Sequence, residues 1–148
     1  MTDAMIKKGA SKAECPKPEN PAFVMPKPLR EAKVAIVTSA SLHHEDDDDF
    51  APSDTGYRVL EKDRRDIVVG HWSPNFDASG VSADLNVVFP IDRLQEMENQ
   101  GVIGAVSEVH IAVAGNQFDL SGIRLDGGPS AAALLNKHEV DVVLLTPV

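Results

Sequence analysis

The chain closes on an unbroken apolar run. Val142, Val143, Leu144 and Leu145 stand between Asp141 and Thr146-Pro147. Such a run, bounded by a charge and a turn former, reads as a strand covered on both faces, the pattern of a parallel sheet. Parallel strands need crossover connections with helices on the sheet faces, so this one feature commits the chain to an α/β architecture. Lys33 to Ser39 (KVAIVTS) repeats the pattern early on, and Asp66 to Gly70 (DIVVG) is a second buried-strand candidate. Ligands of open α/β sheets bind just past the carboxyl ends of the strands. Past the last strand this sequence supplies only Pro147 and Val148. The expectation is a domain that stops short of its reactive residue and is incomplete at its C-terminus.

Two helices are readable. Ile91 to Gln100 has Pro90 at its start, Asp92 in its first turn and a stripe of Ile91, Leu94 and Met97; Gly101 and Val102 supply the stop. Gly127-Gly128-Pro129 punctuates the chain before a helix over Ser130 to Glu139, with Ala131, Leu134, Leu135 and His138 on one face. Tyr57 to Leu60 reads as a short strand, Leu85 to Phe89 as a short apolar segment, and Ile103 to Ala114 as one strand region. The fold class is therefore α/β, a mostly parallel sheet with flanking helices. Its helices are too few to cover both faces, so Val142 to Leu145 is expected to be exposed on at least one side. Residues 1–32 hold Pro16, Pro18, Pro21, Pro26 and Pro28. They read as an extended arm with an anchoring contact at Ala22 to Met25, leaving 33–148 as the α/β domain.

Length suits one domain. A net charge of −9 argues against nucleic acid and anionic membrane surfaces, which need clustered cations. No apolar run approaches the ~20 residues that cross a bilayer, Lys7-Lys8 precede no signal-peptide core, and the single Cys15 excludes an internal disulfide framework; the cytoplasm is the expected compartment. Cys15, in a Pro-rich stretch, reads as an ordinary thiol.

Among chemistry-bearing residues, the run His43 to Asp49 (HHEDDDD) has metal-ligand types. Its spacing is not that of a calcium loop, and like-charge blocks usually stay solvated, so His43 and His44 are only weak metal candidates. His71, beside Trp72, follows a strand, where functional residues gather, and titrates near neutrality; a histidine bonded to nearby backbone reads equally well. Asp77, Asp84 and Asp92 suit general bases, and equally turns and helix starts. His110 lies within a strand and reads as structural.

Val69 to Gly104 (VGHWSPNFDASGVSADLNVVFPIDRLQEMENQGVIG) is more specific. It resembles the selenoprotein B family of glycine/sarcosine/betaine reductases and D-proline reductase, whose segment runs SHxxxNFD, then DLNVVFPIDRLRELxxxGxIG. His71, Asn75, Phe76, Asp77, Asp84, Asn86, Phe89, Pro90, Asp92, Arg93, Leu94, Gly101, Ile103 and Gly104 carry the match. KVAIVTSASLHH and HEVDVVLLTPV resemble the family's VALVTTAGVH and GVDAVLLTPV, so the likeness spans residues 30–148. One departure is His110 to Gly115 (HIAVAG), where relatives carry HYSFMG.

The resemblance implies a subunit that cleaves a C–N bond reductively, with a dithiol as electron donor. The substrate, a small amino acid or betaine, is activated on a separate pyruvoyl-bearing subunit. It also implies a selenocysteine, or a cysteine, directly after the final strand, hence after Val148. The chain as it stands then has no catalytic nucleophile, is expected to be inactive alone, and reads as ended at an in-frame UGA codon. His71, Asp77, Asp84, Asn86, Asp92 and Arg93 are the pocket candidates, and a homo-oligomer is compatible. The alternative is a non-catalytic binding or assembly module that keeps the fold without the redox residue.

Overall fold

The computed structural model describes residues 3–12, 23–73, 76–115, 117 and 119–148. Helices are α1 (Asp3–Ala10), α2 (Ser79–Ala83), α3 (Ile91–Asn99) and α4 (Gly128–Lys137); strands are β1 (Lys33–Thr38), β2 (Leu42–His44), β3 (Tyr57–Glu61), β4 (Ile67–Val69), β5 (Ala105–Val106), β6 (Val109–Val113) and β7 (Val142–Thr146). The architecture is α/β with a mostly parallel sheet, as its apolar runs require.

β1 is the sheet's centre. On one side it pairs in parallel with β7, from Val34↔Val142 to Thr38↔Thr146. On the other it pairs in parallel with β5 at its start and β6 at its end. β3 closes that side antiparallel to β6. The region Ile103 to Ala114, expected as one strand, is thus broken in two. The register gains two residues between Val34↔Val106 and Val37↔Ile111, so the chain bulges at Ser107-Glu108. The Ile36 N–H lies level with this break and donates instead to Nδ1 of His110 at 2.9 Å. His110 is fully buried, with Phe89 edge-on at 5.3 Å. It is structural in a specific sense: a side chain standing in for a ladder carbonyl. Accepting at Nδ1 requires a neutral ring, and burial pushes its pKa down to about 4.

The two sheet faces have separate cores. Val34, Ile36 and Ala112 pack with Leu42, Phe50, Leu60, Phe89, Ile91 and Leu94 under α3, while Ala35 and Ile111 pack with Leu135 of α4. α3 ends as its sequence dictates. Gly101 takes φ 69°, its N–H bonds Glu98 O, and the Val102 N–H bonds Met97 O at 2.9 Å, a Schellman stop.

Four readings are corrected. Asp66 to Gly70 is not a buried strand of the main sheet: β4 forms a two-stranded antiparallel ribbon with β2, and Val68 is 37% exposed. Three apolar residues between the Arg64–Asp66 ion pair and Gly70 are too short to span the sheet. Gly127-Gly128-Pro129 does not interrupt the helix; the chain is already helical from Ser121, through a wide turn at Ile123–Gly127. Gly127 is needed for close approach, since a Cβ there would lie 2.3 Å from Thr55 O. The N-terminal stretch is not extended throughout: α1 occupies residues ahead of the first proline, Pro16. Of the expected anchor at Ala22 to Met25, Ala22 lies outside the described residues, and Phe23, Val24 and Met25 are exposed. β7 is a parallel strand left partly uncovered, as the shortage of helices leads one to expect, and not covered on both faces as its apolar run alone suggests. Val143 and Leu144 are 39% exposed and Leu145 68%, because α4 packs over β1 and β6 and leaves β7 as the edge.

Candidate functional site at the carboxyl ends of the parallel strands

β1, β6 and β7 run in one direction, so their carboxyl ends emerge together. Residues 38–41 cross this edge and tie it shut. The Ser39 N–H donates to Thr146 O (3.3 Å), and Ser39 Oγ accepts the Val148 N–H (3.0 Å). Thr38 Oγ1 donates to Thr146 O (3.4 Å) and accepts the Ala40 N–H (3.2 Å). Ser41 reaches β6 through its N–H, on Val113 O (3.2 Å), and the end of β4 through its carbonyl, which accepts the Gly70 N–H (2.9 Å).

His71 lands on this edge. It follows Gly70 directly and stacks on Phe76, with ring centroids 4.2 Å apart. Its Nδ1 accepts the Ser73 N–H at 3.2 Å, which places the proton of the neutral ring on Nε2. Burial pushes its pKa below the ordinary histidine value, so the imidazole is neutral at pH 7. Its resting place is glycine-specific: a Cβ at Gly115 would lie 2.6 Å from both His71 Nε2 and Ser39 O. The arrangement offers a neutral imidazole, a hydroxyl and backbone groups where α/β sheets bind ligands.

Three other pocket candidates are brought together, but elsewhere. Asn86 donates from Nδ2 to Asp84 Oδ1 and Asp92 Oδ2, both at 2.9 Å, and accepts the Asp92 N–H at 3.1 Å. Pro90 at the N-cap has no capping side chain, and Asn86 supplies the missing acceptor from four residues upstream. Hydrogen bonds from Asn86 hold the Asp84 carboxyl below the usual range. This cluster is joined to the strand-end edge through Val88, whose carbonyl accepts Thr146 Oγ1 at 2.8 Å. Asp77 stands apart from both groups, and Arg93 reaches the cluster only through the attraction of its charge for Asp84. Asp77, exposed, accepts the Ser79 N–H, and this contact with Ser79 lowers its pKa; Arg93 pairs with Glu96 at 2.8 Å. Asn75 lies outside the described residues. Replacing Asn86 by alanine is expected to cost about 1–2 kcal/mol, the loss of a cap plus a bridge between two carboxylates. A lower urea midpoint at unchanged slope checks this.

The acidic run divides. His43 and His44 are buried in β2, while Glu45, Asp46, Asp48 and Asp49 are exposed. His43 Nδ1 donates to His44 O at 2.9 Å, and His44 Nε2 accepts the Glu61 N–H at 3.1 Å. Each ring thus spends one nitrogen on backbone. Among the described residues no three His, Cys, Asp or Glu side chains converge as a metal site, and Cys15 lies outside them.

Ser41, Gly115 and Thr146 were not singled out as site residues. The small polar residues after β1 mark a strand-end loop, but nothing in sequence signals that Ser41 adopts a positive φ or that Gly115 supports an imidazole.

The chain matches the family described as Glycine/sarcosine/betaine reductase selenoprotein B (GRDB) over residues 12–148. It belongs to that family. D-proline reductase subunit gamma of Acetoanaerobium sticklandii is 33% identical over 123 residues, covering 81% of this chain and 50% of that protein. Glycine reductase complex component B subunit gamma of Symbiobacterium thermophilum is 29% identical over 139 residues, 87% of this chain and 30% of its own length. Sarcosine reductase complex component B subunit beta of Peptoclostridium acidaminophilum is 28% identical with the same coverage. The chain thus spans half or less of these relatives. No solved structure matches it. No helix among the described residues is long and apolar enough to cross a membrane.

Proposed function

We propose that this chain is the α/β portion of a reductase subunit that cleaves the C–N bond of a small amino acid or betaine, at the carboxyl ends of β1, β6 and β7. The observation that carries the reading is the placement of His71 against Gly115 and Ser39 on that edge, joined through Thr146 and Val88 to the segment most specific to the family. In net terms, the substrate C–N bond is replaced by C–H and N–H bonds, and a dithiol donor leaves as a disulfide. A selenocysteine or cysteine directly after Val148 supplies a nucleophile that is largely ionised at neutral pH in the selenol case. The edge fits such a residue, because Ser39 already holds Val148 by its N–H.

The chain's own residues bind and orient. Ser39 and Thr146 fix the backbone at the end of β7, and His71, neutral with its proton on Nε2, holds the departing nitrogen by a hydrogen bond from Nε2–H. A pyruvoyl-bearing partner subunit activates the substrate. The test is anaerobic turnover by the native protein with its partner and a dithiol. Glycine, sarcosine, betaine and D-proline are offered separately, and release of the amine or opening of the ring is followed. Turnover of one of the four is expected; no consumption of any of them, with the partner present, contradicts the reading.

A further inference from the structure

We propose that Ser41 is a positioning residue that sets the His71 imidazole over the ends of β1 and β6; the inference rests on the role proposed for His71. Ser41 is fully buried and holds φ 53°, in the left-handed region that residues with a Cβ avoid. Among the described residues the other positive-φ residue with a side chain, Glu139, is exposed just after α4, where that conformation is an ordinary helix stop. Ser41 has no such excuse: it sits inside the crossing of three strand ends.

What holds it there are bonds to the residues that carry and support His71. Its carbonyl accepts the N–H of Gly70, the residue before His71 (2.9 Å), and its Oγ accepts the N–H of Gly115, the residue beneath Nε2 (3.2 Å). Its own N–H bonds Val113 at the end of β6 (3.2 Å). One residue therefore fixes both the backbone from which the imidazole projects and the platform on which it rests. Glycine would adopt the same backbone without strain but has no hydroxyl for Gly115; alanine would keep the strain and lose the hydroxyl.

The experiment is long-range ¹⁵N–¹H NMR of the histidine rings in the full chain, with Ser41→Ala and Ser41→Gly. In the wild type His71 is expected as one neutral tautomer, protonated on Nε2. In Ser41→Ala that single tautomer is lost to a mixture, and amide exchange at Gly70 and Gly115 rises at least tenfold, while His110 keeps its own tautomer. If Ser41→Ala fails to fold, Ser41→Gly, relieved of backbone strain, gives the same readout. A single unchanged His71 tautomer in the folded variants, or a tautomer mixture already in the wild type, overturns the proposal. Turnover by a His71→Ala enzyme tests the role of His71 separately: undiminished turnover would refute that role and leave the Ser41 result standing.

Discussion

Replacing His110 by leucine is expected to lower the unfolding free energy by about 2–4 kcal/mol. The variant keeps the volume but leaves the buried Ile36 N–H without an acceptor, at a cost of about 1–3 kcal/mol, and the edge-on packing of Phe89 is lost as well. Asparagine should recover much of the loss, since its Oδ1 can take the place of the ring's Nδ1. The same histidine makes the protein acid-sensitive. Its pKa is about 4 when folded, against about 6.5 in an unfolded chain. Between those values the unfolded state binds a proton that the native state refuses, so stability falls as pH drops through this window and is constant, for this group, above it. The difference amounts to about 3 kcal/mol between pH 6.5 and 4. Urea midpoints at pH 7, 5.5 and 4 should fall steeply in the wild type and shallowly in His110→Asn; equal slopes would refute the assignment.

The second large effect is on turnover. In the assembled reductase, His71→Ala is expected to reduce kcat/KM by about 100-fold, the usual loss when a hydrogen-bond donor aimed at developing charge is removed. Glutamine, which retains a donor near the Nε2 position, should recover part of that loss. The His71 pKa is lowered by burial, so the acid limb of the pH–rate profile should lie below the ordinary histidine range and vanish in the variant. His71 is only half-buried, so the melting temperature should change little. A variant with wild-type kcat/KM and an unchanged acid limb would remove His71 from the chemistry.

Much of this molecule was legible from local pattern. β1 and β7 declared themselves as unbroken apolar runs, and α3 carried its own start and stop in Pro90, Asp92 and Gly101. What escaped was set by tertiary geometry. Ile103 to Ala114 looks continuous because the bulge at Ser107-Glu108 exists only against β1. The wide helical turn before Gly128 depends on Gly127 meeting Thr55. Asp84, Asn86 and Asp92 are close in sequence and suggested one pocket; they do come together, but as a helix cap, because Pro90 leaves α3 without a capping side chain of its own. His71 was recognised from its place after a strand, whereas its supports, Ser41 and Gly115, lie 30 and 44 residues away in sequence, and only the shared strand ends unite them.

The central claim is that reductive chemistry occurs where β7 ends beside Ser39. It is tested most directly by peptide mass spectrometry of the native protein after alkylation under reducing conditions. The account predicts a peptide that reads through Asp141 to Val148 and continues with an alkylated selenocysteine, recognisable by its selenium isotope pattern, or an alkylated cysteine. A peptide that ends at Val148, or continues with any other residue, would contradict it.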